Sequence, residues 1–91
     1  MGYEYTVKFT YESAAQVDEF LRTLPIFYSF DDARETYIYR TPQNSGAMPD
    51  AEMSIEPNGL YLCDYGMGMH EFGFLVKKLL SYFFSVQIEE I

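Results

Sequence analysis

The chain has 91 residues and a formal charge of −8, from 14 acidic and 6 basic side chains, with an isoelectric point near 4.3. That length fits one domain with a single small core, and a hydrophobic content of 48% excludes a disordered chain. The charge argues against polyanion binding, because nucleic acids and anionic lipids are held through Lys and Arg; an acidic chain attracts basic partners instead.

Aromatic mass compensates for small size: nine Tyr and eight Phe make up 19% of the residues, with no Trp, and each ring buries a large area. The single Cys, Cys63, precludes an intrachain disulfide and fits a reducing compartment. Met1-Gly2-Tyr3-Glu4-Tyr5 has neither the basic nor the apolar region of a signal peptide. Gly2 and Thr6 satisfy the spacing of a myristoylation signal, but bulky Tyr3 and the lack of a basic patch weaken it. No apolar run approaches the roughly 18 residues of a membrane span, and Lys77, Lys78 and Ser81 interrupt the most apolar segment. The expectation is a soluble, cytoplasmic protein.

From Tyr3 to Tyr11, Tyr3, Tyr5, Val7, Phe9 and Tyr11 alternate with Glu4, Thr6, Lys8 and Thr10, which predicts a strand with one buried face. Ser13-Ala14-Ala15-Gln16 has capping-box spacing. Ala14, Val17, Leu21 and Leu24 then recur at helical intervals, with Asp18 and Glu19 early and Arg22 late, as a helix dipole favours, until Pro25 ends the run. Ile26–Phe30 and Glu35–Arg40 read as a hairpin around a turn at Asp31-Asp32-Ala33-Arg34. Thr41–Ala51, rich in Pro, Asn, Ser and Gly, is a long loop and a candidate contact surface. Glu52–Glu56 and Leu60–Tyr65 form a second hairpin, whose turn is signalled by Asn58-Gly59. After a connection at Gly66-Met67-Gly68, a second helix buries Phe72, Leu75, Val76, Leu79, Leu80 and Phe83, and Ser85–Glu89 alternates as a last strand.

The order β-α-β-β-β-β-α-β predicts one α+β domain over residues 1–91. Two helices with one apolar stripe each cover one face of a mostly antiparallel sheet, giving a two-layer sandwich. In architecture this resembles the ferredoxin-like β-α-β-β-α-β chain with an added hairpin. The likeness rests on element order and on no sequence motif.

Gly66-Met67-Gly68 invites comparison with a dinucleotide loop, but Glu71 stands where the third glycine belongs. A carboxylate in the first helical turn repels phosphate while complementing the dipole, so the segment reads as a connection. No Walker pattern occurs in the chain. Cys63 and His70 form no evident nucleophile–base pair, since no third residue is marked to orient the base. One Cys and one His are poor equipment for a metal centre. Asp18-Glu19, Asp31-Asp32 and Glu89-Glu90 are sequence neighbours, and neighbours on a helix or strand do not face each other across a cleft. No catalytic residue, metal site or cofactor is therefore expected.

Tyr28, Tyr37, Tyr39, Tyr61 and Tyr65 fall on predicted strands, and a sheet covered on one side leaves some of them outside. Open aromatic sheets bind RNA bases when basic residues accompany them, but the matching basic signature is missing here. Tyr is also enriched in protein interfaces. The expected function is a small non-enzymatic domain that binds a basic protein as an inhibitor or antagonist, its carboxylates standing where phosphates would. The expected contacts are Asp31, Asp32, Glu35, Asp50, Glu52 and Glu56, with Tyr37 and Tyr39 as anchors. The alternative is a homodimer that takes a small ligand between sheet and helices, with Met48, Met53, Met67 and Met69 as adaptable lining.

Overall fold

The structure, a computed structural model, describes residues 2–91. Its elements are β1 (Tyr3–Lys8), α1 (Ala14–Arg22), β2 (Phe27–Asp31), β3 (Thr36–Tyr39), β4 (Ala51–Glu56), β5 (Gly59–Asp64), α2 (Gly68–Tyr82) and β6 (Gln87–Glu90). They form the expected two-layer α+β sandwich. One sheet of six strands runs in the order β2-β3-β4-β5-β1-β6, and every neighbouring pair is antiparallel.

Two crossovers set the shape. The connection β5-α2-β6 passes over β1, which pairs with both strands. The connection β1-α1-β2 carries the chain past β5, β4 and β3 to the far edge. Both helices lie on the side where Val7, Tyr37, Tyr39, Met53, Leu60 and Leu62 are buried. From the helices, Val17, Phe20, Leu21, Leu75 and Leu79 close onto them. Rings join the layers: Phe83 stacks on Phe9 with centroids 4.0 Å apart and meets Phe20 edge-on at 5.2 Å.

Local chemistry explains the ends of the elements. The Gln16 amide donates to Ser13 Oγ at 3.3 Å, while Gln16 Oε1 accepts from the Glu12 amide, one residue further back than a standard capping box. Asp18 and Glu19 lie beyond the first turn of α1. Asp18 instead pairs with Arg22 at 3.0 Å and accepts the Tyr37 hydroxyl. The β4–β5 turn also differs from expectation. Glu56 pairs with Gly59, so the loop residues are Pro57 and Asn58. Proline holds φ near −65°, which rules out the mirror-image turn that Asn-Gly would favour. Gly59 takes the positive φ, +144°, and a Cβ there would lie 2.0 Å from the Val7 carbonyl oxygen of β1. At the end of the chain β6 begins at Gln87, two residues later than the alternation predicts, because Ser85 adopts φ 55°.

Candidate functional site

The uncovered face of the sheet is assembled by register. Ile38 pairs with Glu52, Glu52 with Cys63, and Cys63 with Glu4. Residues directly opposite point to the same face, so this row crosses β3, β4, β5 and β1 on the side away from the helices. The next rows are Ser54-Tyr61-Thr6 and Glu56-Gly59-Lys8. The Tyr61 hydroxyl donates to Glu4 Oε1 at 2.6 Å, and Tyr65 reaches Glu52 Oε1 at 3.4 Å. Hydrogen bonding to Glu4, with burial, raises the Tyr61 phenol well above its ordinary range. The neighbouring Cys63 thiol, then burial and Glu52, push Tyr65 up to about 12. Cys63 is thus bracketed by two tyrosine–glutamate pairs. It is only 8% exposed, and Gly2 packs so closely that an added Cβ would stand 3.1 Å from its Sγ.

The expected anchors, Tyr37 and Tyr39, are corrected by the structure. They are 3% and 1% exposed and belong to the core beneath α1. Tyr39 donates its hydroxyl to the Leu21 carbonyl at 2.7 Å, and burial raises both phenols well above their usual range. Their parity on β3 is opposite to that of Ile38, the residue that faces outward. Tyr61 and Tyr65 lie on the uncovered face, and Tyr28, 64% exposed at the bulge of edge strand β2, has the Arg40 guanidinium over its ring.

The expected acidic contacts divide. Asp31 caps its own turn, accepting from the Ala33 and Arg34 amides and from Arg34 Nε. These Arg34 bonds hold its carboxyl below the usual range. Arg34 also reaches Glu52 Oε2 at 3.2 Å, which ties the turn to the uncovered face. Asp32 and Glu35 are exposed in the same turn, and Glu56 ends β4 nearby. Asp50 lies apart from them, inside the 41–50 loop. It accepts from the Thr41 amide at 2.6 Å and from Asn44 Nδ2 at 3.1 Å. Burial alone would raise its carboxyl, but these bonds outweigh it and bring the group below its usual range. Asp50 holds the loop together, while the loop's own backbone is further pinned by Arg40 to the Gly46 and Ala47 carbonyls.

Cys63 and His70 lie on opposite sides of the sheet: the thiol is on the uncovered face, and the imidazole is exposed on the first turn of α2. They make no nucleophile–base pair. No grouping of three metal-ligating side chains occurs among the described residues, and no helix there is long and apolar enough to cross a membrane. At Gly66-Met67-Gly68 the Asp64 carboxylate accepts the Gly66 and Met67 amides, at 3.0 and 2.7 Å. That places an acid where a phosphate would have to bind.

A cavity of about 290 Å³ lies between the layers. Tyr39 and Met53 form its floor, Leu24, Pro25 and Ile26 one wall, and Phe74 and Leu75 the other. Met67 reaches in from the connection, with His70 and Glu71 beside it. Of the four methionines expected to line a pocket, Met53 and Met67 do so, whereas Met48 and Met69 are exposed. No family model, curated protein or solved structure matches the chain.

Proposed function

We propose that the chain is a small acidic protein-binding domain that docks on a basic protein through the uncovered face of its sheet, acting by occupancy and not by turnover. The observation that supports this reading is the row Glu52-Cys63-Glu4 with Tyr61 and Tyr65 hydrogen-bonded at its two acids. The bracket presents aromatic surface and negative charge together on strands held rigidly by their neighbours. Glu56 and the exposed Asp32 and Glu35 extend the acidic field toward one end. Such a field speeds encounter with a basic surface, and the tyrosines supply buried contact area once docked. An inhibitor of a nucleic-acid-handling protein or toxin fits this chemistry, with Glu4 and Glu52 standing where backbone phosphates would.

The test is capture from a lysate by immobilised wild-type chain and by a Glu4→Lys, Glu52→Lys double variant, each washed with rising salt. The reading expects a basic protein that is retained at low salt by the wild type, released as salt rises, and lost by the variant. Equal retention by both chains, or none by the wild type, overturns it. A homodimer is a second reading, favoured by exposed apolar side chains along and just beyond α2: Met69 is 92% exposed, Phe84 88%, and Leu80 lies between them. Sedimentation of the pure chain over a concentration series checks it.

A further inference from the structure

The cavity between the layers carries an inference independent of the sheet face. Helices α1 and α2 meet at one end, where Phe20 packs on Tyr82 and Phe83 with ring centroids 5.1 and 5.2 Å apart. Phe20 lies in the last turn of α1, and the chain that follows it forms one wall of the cavity. Leu24 and Ile26 face Phe74 and Leu75 across the open space, above Tyr39 and Met53. The cavity opens to solvent beside Phe74 and His70, so its apolar walls are wetted when it is empty, and removing them from water favours an apolar occupant. The cavity has room for about ten water molecules at liquid density, yet apart from His70 and Glu71 its lining side chains offer water few hydrogen-bonding partners: the one floor hydroxyl, on Tyr39, already donates to the Leu21 carbonyl. An apolar body bounded by two rings and two flexible thioethers fits it better.

The charge around the cavity selects the head group. Glu71 lies in the first turn of α2 and lines the cavity. An anion drawn to the start of α2 would meet Asp64, which already accepts the Gly66 and Met67 amides, as well as Glu71. The chain as a whole carries −8. His70 also lines the cavity, but its ring is exposed and lies 3.8 Å from Glu71, so its charge when protonated is offset by the carboxylate. We propose that this cavity binds a small aromatic or aliphatic amine, with the apolar body between Tyr39, Met53 and Phe74 and the ammonium at the Glu71 carboxylate.

Phenethylamine is the probe, with phenethyl alcohol and hydrocinnamate as neutral and anionic counterparts of similar size. Methionine-methyl NMR provides the readout. Met53 and Met67 line the cavity, while the exposed Met48 and Met69 serve as controls. The expected result is a saturable shift of the Met53 and Met67 methyls with phenethylamine and no change at the controls. The alcohol should bind about fivefold more weakly, as loss of one partly exposed ion pair implies, and the carboxylate more weakly still. In Glu71→Gln the advantage of amine over alcohol should vanish while the alcohol's affinity stays the same. Ile26→Phe, which fills the cavity from its rim, should abolish the shifts; Leu24→Phe provides a second filling variant if the first does not fold. Failure of all three probes to saturate, equal binding of amine and carboxylate, or an amine preference that survives in Glu71→Gln would overturn the proposal.

Discussion

Tyr39 shows how much one hydroxyl can decide. Its ring is enclosed by the core, and its hydroxyl is the donor that satisfies the Leu21 carbonyl near the end of α1. Tyr39→Phe keeps the packing but leaves that carbonyl unpaired, so a loss of about 1–3 kcal/mol is expected in denaturant unfolding. The alkaline limit follows from the same burial. Tyr37 and Tyr39 have folded-state pKa values raised above the unfolded phenol value of about 10. Their contribution is complete below that pH and is lost as pH rises toward the folded values. Unfolding midpoints should therefore fall above about pH 10, and less steeply in Tyr39→Phe. The acid side has the opposite sign. Asp18, Asp31 and Asp50 are held below their ordinary values by hydrogen bonds. The unfolded chain then binds more protons near its own carboxylate pKa of about 4, and stability is lost as pH falls through the folded values. Asp50→Asn should flatten this acid limb, as read from unfolding curves between pH 2 and 6.

Among the elements, turns and caps are the sensitive points. Gly59→Ala would drive a methyl into the Val7 carbonyl of β1 and force a positive φ on a residue with a Cβ. A destabilisation of at least about 2 kcal/mol is expected. Ser13→Ala removes the oxygen that accepts the Gln16 amide and should cost about 1 kcal/mol. The same elements show what a sequence exposes to reading. The strict alternation of Tyr3 to Tyr11, the Ser13 cap and the stripe of α2 set element type because they are periodic and local. Strand order is neither, but two apolar-striped helices already imply one covered face. Which tyrosines lie outside was not legible in the same way. Tyr37 lies between Thr36 and Ile38 and Tyr61 between Leu60 and Leu62, so each has an apolar neighbour that competes for the core face, and the pairing of Ile38 with Glu52 and of Glu52 with Cys63 assigns the two rings to opposite faces. The Glu4–Tyr61 bond was hidden for a related reason: the two residues stand 57 positions apart in the chain.

On the scale of the whole molecule, charge and topology govern. With −8 on 91 residues, self-repulsion opposes compaction, and salt screens it. The melting temperature should rise with sodium chloride over the first few tenths molar, and rise further in a Lys77→Glu, Lys78→Glu variant, whose charge is more negative still. Invariance of both midpoints with salt would show that local ion pairs already balance the field. The placement of β1 between β5 and β6 has a kinetic consequence. Strands β2 to β5 succeed one another as neighbours and can pair locally, whereas Tyr3 finds its partner only at Asp64, and Tyr5 pairs with Glu90. Closing such long loops is slow, so β1 should join an already formed meander late in folding. Val7→Ala should then mainly speed unfolding, and Leu60→Ala should slow refolding more, when the two arms of a chevron plot are compared. During synthesis β1 precedes both of its partners, so the apolar side of Tyr5, Val7 and Phe9 stays uncovered while most of the remaining chain is made. That interval is when this protein is most prone to aggregate.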